Sequence, residues 1–595
     1  MAMQLNQQIV VDYDVPARMR DGVTLRANTY RPAGQGPWPV LLTRLPYGKD
    51  FPLGTAVLDP AQVARHGYIV VVQDTRGRMT SEGEWTPFIH EPIDGVDTIA
   101  WAAQLPYSNG QVGMYGASYF GFTQWASAIH QPPALKALVP LMTWNDPLNG
   151  VIFRGGALEL GTAGNWQLQM ALEILLRRHH DDPQALGKAI YLLATQIDAL
   201  STHGYHSLPL REFAPLKEQD VAPYFFENFL HPMERDHKWI HPMHILGHHH
   251  TVSAPSFNIG GWYDIFLQDT ITNFKVMREE GSTPQARQSK LLIGPWTHGG
   301  MTNAVGELNF GFASSAALID LKIDFVSLQV RWFNHWLKGI DTGMLNEAPI
   351  KLFVMGANIW RDENEWPLAR AVETRYYLHS SGHANSLQGN GTLTVNAPGG
   401  TEVGTDQYIY DPASPVPTCG GALLMTPEYR SGPFDQRPIE SRADVLVYTS
   451  EVLSSAVEVT GPIKVHLWAA SSAPDTDFVA RLVDVHPDGY AQNLTDGILR
   501  ARYRAFERGE VPGLIEPGAA YVYDIDLWAT SNLFKAGHRI RLDVTSSSFP
   551  RWDRNPNTGH AFGADAELAV ARQTILHDSE HPSYVVLPIV PAQSA

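Results

Sequence analysis

The stretch Gly113-Met114-Tyr115-Gly116-Ala117-Ser118-Tyr119-Phe120-Gly121 decides how the rest of the chain is read. Residues 111–115 read as a short strand and residues 122–129 as a helix, so the chain turns sharply between them. Two small residues precede Ser118. A turn this tight leaves room only for Gly or Ala beside the serine, and it pushes the hydroxyl out at the end of a sheet. It also aims the first amides of the helix at the same point, where they can bind developing negative charge. The common form of the turn has Gly two residues after the serine. Here that place holds Phe120, and the Gly falls at 121. A small-x-Ser turn is a weak signal alone, so a nucleophilic serine requires a base, an acid and an oxyanion donor elsewhere in the chain.

Working outward, the flanking segments alternate between apolar strand and helix. Residues 9–15 and 25–30 alternate like antiparallel strands around an Arg20-Asp21-Gly22 turn. Residues 40–43 and 68–73 are buried-strand runs with a short helix at 61–66 between them. Residues 91–104 have helical spacing, with Val96, Ile99 and Ala100 on one face, and 135–141 is another apolar strand. This rhythm predicts a parallel sheet covered on both faces. From about Trp144 to His250 the pattern turns helical and irregular, which predicts an insertion. Strands resume at 256–260 and 290–294 around a helix at 270–280. An insertion there caps the C-terminal edge of the sheet, where open α/β sheets hold ligands. After Leu337-Lys338, short strands at 350–354, 374–378, 445–449, 463–468, 478–485, 521–527 and 539–544 are separated by Gly, Pro and Asp turns. They predict an all-β domain of two-sheet jelly-roll type. The expected divisions are an α/β body over 1–145 and 251–349, a helical cap over 146–250 and a β domain over 350–595.

Composition narrows the function classes. At 595 residues the chain exceeds one core, and 44% hydrophobic with 18% charged residues describes an ordinary globular protein. A net charge of −17 with no Lys/Arg-rich run argues against a nucleic-acid partner. No apolar run approaches the ~20 residues of a membrane span. Cys419 is the one cysteine, so no internal disulfide forms. That and the absence of a signal-peptide pattern lead to the expectation of a cytoplasmic protein. His248-His249-His250 closes a histidine-rich stretch from His231. Three consecutive histidines cannot all face one ion, so a solvated linker and no metal are expected.

Two strand ends in the returning sheet carry the missing chemistry. Gly260-Gly261-Trp262-Tyr263-Asp264 puts Asp264 just past one strand, and Gly294-Pro295-Trp296-Thr297-His298 puts His298 just past the next. A serine hydroxyl is a weak nucleophile until a neutral imidazole takes its proton. A buried carboxylate sets the imidazole's tautomer and stabilises its charged form. A lone His or Asp near a strand end is usually structural. Here Ser118, Asp264 and His298 follow the Ser…Asp…His order of α/β-hydrolases, across an insertion in the usual place.

Six motifs carry a wider resemblance: LLTRLPYGK (41–49), VVQDTRGRMTSEGEW (71–85), GMYGASYFGFTQW (113–125), GGWYDIF (260–266), GPWTH (294–298) and SSSFPRWDRNPNTG (546–559). On these the chain resembles the bacterial cocaine esterase group of serine hydrolases. Its relatives are the α-amino acid ester hydrolases, the glutaryl cephalosporin acylases and the X-prolyl dipeptidyl peptidases. The resemblance implies an α/β-hydrolase fold with an inserted helical cap and a C-terminal β jelly roll. It accounts for Gly121, since the family uses G-x-S-Y-x-G. It implies that the Tyr47 hydroxyl and the Tyr119 N–H hold the oxyanion, and that Trp144, Trp166, Phe266, Leu424 and Met425 line the acyl pocket. A small-molecule ester substrate, no cofactor and a homodimer are expected, with the β domain closing one wall of the active site and making a dimer contact. Asp74 and Arg76 read as an ion pair bracing the loops.

The departures narrow the substrate. The α-amino acid ester hydrolases carry extra carboxylates just after the catalytic Asp; here Ile265, Phe266 and Leu267 stand there. An apolar pocket cannot stabilise a buried ammonium without counter-charges. The expectation is a carboxylesterase for neutral, apolar or aromatic acyl groups. The alternatives are an acylase, amidase or acyltransferase of the same family, an X-prolyl dipeptidase, or a carbohydrate-binding protein built on the jelly roll. The presence of all three residues of the serine constellation favours the enzyme over the binding protein.

Overall fold

The computed structural model describes residues 8–52, 57–231, 233–234, 237, 240–400 and 404–592. The body is a sheet of ten strands: β1 (Ile9–Arg18), β2 (Thr24–Pro32), β3 (Trp38–Leu45), β4 (Ile69–Asp74), β5 (Ser108–Ala117), β6 (Leu135–Leu141), β7 (Phe257–Tyr263), β8 (Lys290–Thr297), β9 (Ile350–Val354) and β10 (Ile359–Glu363). Their spatial order is β1-β2-β4-β3-β5-β6-β7-β8-β9-β10. The run from β4 to β9 is parallel, and β1, β2 and β10 are antiparallel additions at the two edges. Every residue of β4, β7 and β8 is buried, as expected for strands covered on both faces.

Helices α1 (Glu91–Ala103) and α2 (Tyr119–Ala128) lie on one face, where Ile99, Ala102, Phe122 and Trp125 pack with Val40, Leu42, Val71 and Met114. The insertion contributes α3 (Leu160–Arg178) and α4 (Pro183–Ala199), followed by short turns of helix up to Thr251. After it come α5 (Leu267–Glu280) and α6 (Phe325–Lys338). Helix α6 covers the opposite face, with Trp332, Phe333 and Leu337 against Leu41, Val70 and Tyr115.

One expected boundary falls inside the body sheet. Residues 350–354 were expected to open the β domain, but β9 pairs parallel with β8, and β10 closes a hairpin on β9. Without β9, the all-buried β8 would present an open edge. Strand propensity locates β9 and β10 but cannot say which sheet they join. The β domain's strands therefore begin after Glu363.

They are β11 (Val372–His379), β12 (Thr392–Thr394), β13 (Thr405–Tyr410), β14 (Leu446–Thr449), β15 (Val457–Ser471), β16 (Asp477–Val485), β17 (Ala491–Arg500), β18 (Ala520–Phe534), β19 (Arg539–Thr545), β20 (Ala571–Leu576) and β21 (Tyr584–Val590). Hydrogen bonds join them along one path, β13-β20-β15-β21-β11-β12-β14-β19-β16-β17, with β18 paired to β15. The path rolls up until its last strand meets β18. A Cβ on Gly497 of β17 would come within 2.2 Å of the Asp526 carbonyl oxygen of β18. The two layers of the roll thus share long strands instead of forming separate sheets. Strand β21 sits in the middle of the path, paired on one side to β11 and on the other to β15.

Candidate active site

Ser118 stands between β5 and α2 with φ 56° and ψ −124°, a backbone conformation that L-residues avoid. Such strain costs about 1–3 kcal/mol and persists only where the surroundings over-determine it. Here the Ser118 N–H donates to the carbonyls of Leu141 (3.0 Å) and Met142 (3.2 Å). The Ser118 carbonyl accepts from the Gly121 and Phe122 amides, each at 2.9 Å, and from Thr143 Oγ1 at 2.9 Å. The displaced glycine has a steric cause. A Cβ on Gly121 would lie 2.7 Å from Thr143 Cβ and 3.0 Å from the Leu141 carbonyl oxygen. Helix α2 starts at Tyr119, not at the expected 122, because the turn itself launches it.

Asp264 and His298 follow β7 and β8, which are adjacent parallel strands. Their ends therefore deliver both side chains to the same edge, and His298 Nδ1 is 2.6 Å from Asp264 Oδ1. Asp264 is fully buried and His298 nearly so. With Nδ1 engaged, the other ring nitrogen is left for a hydroxyl proton. Phe266 meets the imidazole edge-on, ring centres 5.2 Å apart.

Tyr47 lies two residues beyond β3, and it lines the same pocket as Ser118. Trp166 Nε1 of the cap helix α3 donates to the Tyr47 hydroxyl at 3.2 Å. Burial pushes the Tyr47 phenol up to about 12, moderated by the Trp166 bond and the nearby Arg78. It therefore stays protonated, as a donor must. The Tyr119 N–H is the first amide of α2 and has no acceptor within the helix. The Tyr119 side chain is anchored elsewhere: its hydroxyl donates to Glu91 Oε1 at 2.9 Å and accepts from the Phe88 N–H at 2.9 Å. Burial raises Glu91, and Arg44, 2.9 Å away, opposes that shift.

Ser118 opens onto a pocket of about 460 Å³, open mouth included, lined by Tyr47, Phe88, Tyr119, Trp144, Val151, Thr162, Ala163, Trp166, Phe266 and Leu424. None of these residues is charged. Of the expected lining, Trp144, Trp166, Phe266 and Leu424 are there. Met425 is not; it packs against Gly161 of α3. Phe88 was missed. It stacks on Tyr119 (4.8 Å) and Trp166 (5.7 Å) and meets Trp144 edge-on (5.3 Å). Its one local signal, a positive φ of 71°, is invisible in sequence.

Two further expectations fail. Asp74 and Arg76 do not pair. Lys49 takes Asp74 at 3.0 Å, while Arg76 takes Asp94 at 2.6 Å and Asp21 at 2.8 Å. The turn after β4, closed by the Arg78 N–H on the Thr75 carbonyl, sends the two side chains apart. The histidine stretch is not uniformly solvated either. His249 is fully buried and hydrogen-bonds Asn273 Oδ1 at 2.8 Å, and burial lowers its pKa to about 4. Among the described residues, one group with metal-ligand spacing occurs: Asp484, His486 and His538, whose ligand atoms lie within 4.8 Å. Hydrogen bonds from His538 Nδ1 (2.7 Å) and Asn532 Nδ2 (3.0 Å) already occupy the Asp484 carboxylate.

Comparison with known proteins shows the family. The X-Pro dipeptidyl-peptidase (S15 family) profile matches residues 21–300, and the X-Pro dipeptidyl-peptidase C-terminal non-catalytic domain matches 342–586. The cocaine esterase of Rhodococcus sp. (strain MB1 Bresler) is 38% identical over 98% of this chain and 99% of its own length. The chain belongs to the cocaine esterase family of serine ester hydrolases. Solved structures of the same architecture include an α-amino acid ester hydrolase, with TM-score 0.79 and 24% identity over 99% of this chain and 98% of that one. An aminopeptidase from a marine sediment Thaumarchaeota archaeon has TM-score 0.78 and 25% identity over 98% and 97%. The family's α/β-hydrolase fold is the ten-stranded body described above, and its C-terminal domain is the rolled β network. Among the described residues no helix is long and apolar enough to cross a membrane.

Proposed function

We propose that this esterase hydrolyses esters of neutral acyl groups, apolar or aromatic, through an acyl-enzyme on Ser118. The observation that carries the proposal is the uncharged, aromatic lining of the pocket at Ser118. A free ammonium buried there would have no counter-charge. Ile265, Phe266 and Leu267, all buried, follow Asp264 where the resemblance puts the carboxylates of the α-amino acid ester hydrolases.

Ser118 Oγ attacks the ester carbonyl carbon as its proton passes to His298, whose charged form Asp264 stabilises. The carbonyl oxygen takes the electron pair and is held by the Tyr47 hydroxyl and the Tyr119 N–H. Collapse breaks the ester C–O bond, and His298 hands its proton to the leaving alcohol. Water then repeats the sequence on the acyl-enzyme and releases the acid. No cofactor enters any step. A homodimer with a contact from the β domain belongs to the same proposal; light scattering on the purified protein reads that stoichiometry.

The test is a panel of acetyl, butyryl, benzoyl and α-aminoacyl esters of one chromogenic alcohol, with wild type and Ser118→Ala. The neutral esters turn over, and Ser118→Ala lowers their kcat by about 10⁴-fold or more. Wild-type rates in Ser118→Ala would remove Ser118 as nucleophile. Turnover of the α-aminoacyl ester alone would leave the triad standing and sink the substrate class.

A further inference from the structure

The geometry points to Trp166 as a positioning residue of the oxyanion site, acting through Tyr47 from the cap. This inference rests on the assignment of Tyr47 as an oxyanion donor. A phenol has one proton and accepting lone pairs, whereas an indole N–H can only donate. At 3.2 Å, Trp166 Nε1 must therefore be the donor and the Tyr47 oxygen the acceptor. With a lone pair engaged by the cap, the phenol proton is left for the pocket that Tyr47 shares with Ser118. A tyrosine without that partner is free to rotate its hydroxyl away from the reacting carbonyl. The donated bond also polarises the phenol, so its proton is a better donor to an oxyanion.

The indole is held in that attitude by three rings. Phe88 stacks on it at 5.7 Å with planes 17° apart, Tyr119 lies at 6.3 Å and 26°, and Trp85 meets it at 5.9 Å and 60°. Two of these, Phe88 and Tyr119, are themselves tied to each other through the Phe88 N–H and the Tyr119 hydroxyl. Tyr119 contributes the other proposed oxyanion donor through its N–H. The same aromatic cluster thus registers both donors, and Trp166 is the cap residue in it that reaches Tyr47. The cap therefore enters transition-state stabilisation as well as substrate contact.

The test separates this role from a wall of the pocket. The probe is an acetyl ester, whose acyl group is too small to rely on the indole for contact. The readout is the burst-phase acylation rate constant and KM in wild type, Trp166→Phe, Tyr47→Phe and the double variant, each checked for native thermal unfolding. Trp166→Phe keeps a ring but loses the N–H. It is expected to slow acylation about fivefold, the worth of one neutral hydrogen bond, with KM unchanged within about twofold. In the Tyr47→Phe background the same change is expected to do nothing. Equal slowing in both backgrounds, or an effect on KM alone, overturns the inference and leaves the oxyanion assignment intact. If Tyr47→Phe itself leaves acylation unchanged, the oxyanion assignment falls and this inference falls with it.

Discussion

Phe266 touches both the acyl pocket and the base. Its ring meets Trp144 at 5.1 Å and the edge of His298 at 5.2 Å, so it limits how the imidazole can tilt. Aromatic pairs of this kind contribute about 0.5–1.5 kcal/mol beyond burial. Phe266→Ala is expected to lower kcat on the acetyl ester about threefold to tenfold and to raise KM on the benzoyl ester. A steady-state comparison of the two substrates reads both effects. Tyr47→Phe is expected to cost about 10²-fold in kcat, the usual effect of removing one oxyanion donor. His249 governs stability instead. Its folded pKa of about 4 lies below its ordinary 6.5, so the unfolded chain binds a proton that the native protein refuses. The contribution is complete above pH 6.5 and is lost as pH falls through about 4. Between pH 7 and 5 the loss is roughly 2 kcal/mol. Urea midpoints at the two pH values should fall more in wild type than in His249→Gln. At this scale the sequence made Ser118, Asp264 and His298 legible, because strand ends in a known order are a linear signal. Phe88 and the true partners of Asp74 and Arg76 were not legible, because a positive φ and a loop's exit direction leave no periodicity.

Among the elements, the serine turn is the least tolerant of change. Gly121→Ala would drive a methyl into Thr143 and the Leu141 carbonyl, both part of the same turn's anchoring. Overpacking of this kind costs about 1–3 kcal/mol, and here the shift is transmitted to Ser118. Gly121→Ala is expected to lower the melting temperature and to reduce kcat more than any equally destabilising substitution on the exposed face of α4. Paired melting and rate measurements decide it. The strand and helix rhythm of the body could be read directly, since a parallel sheet covered on both faces writes long apolar runs into the sequence. Strands β9 and β10 show where that legibility ends. Their propensity is local, but their sheet membership depends on contacts with β8, more than fifty residues earlier.

Across the whole molecule, the motif at 546–559 clasps the cap to the β domain. Asp553 accepts from the Leu158 N–H at 2.6 Å and returns its own N–H to the Leu158 carbonyl at 2.9 Å. Trp552 Nε1 donates to Glu159 Oε1 at 2.8 Å, and the Gly161 N–H donates to the Arg551 carbonyl at 3.1 Å. All of this falls at the root of α3, the helix that carries Trp166. Asp553→Ala removes one bond of the clasp, the acceptor of the Leu158 N–H, and one of the two carboxylates paired with the buried Arg500, a change worth about 3 kcal/mol. The expected result is faster proteolysis within residues 160–230, with loss of esterase activity tracking the nicking. The succession of strand-and-helix rhythm, helical stretch and short strands was legible along the chain, whereas the clasp was not, since its two halves lie almost four hundred residues apart. The central place of β21 has a consequence for biosynthesis. Both of its neighbours, β11 and β15, leave the ribosome more than a hundred residues before it. The nascent β domain must therefore wait with a strand-wide slot open at its middle, and nascent chains stalled short of residue 584 should depend on chaperones where those carried past 590 do not.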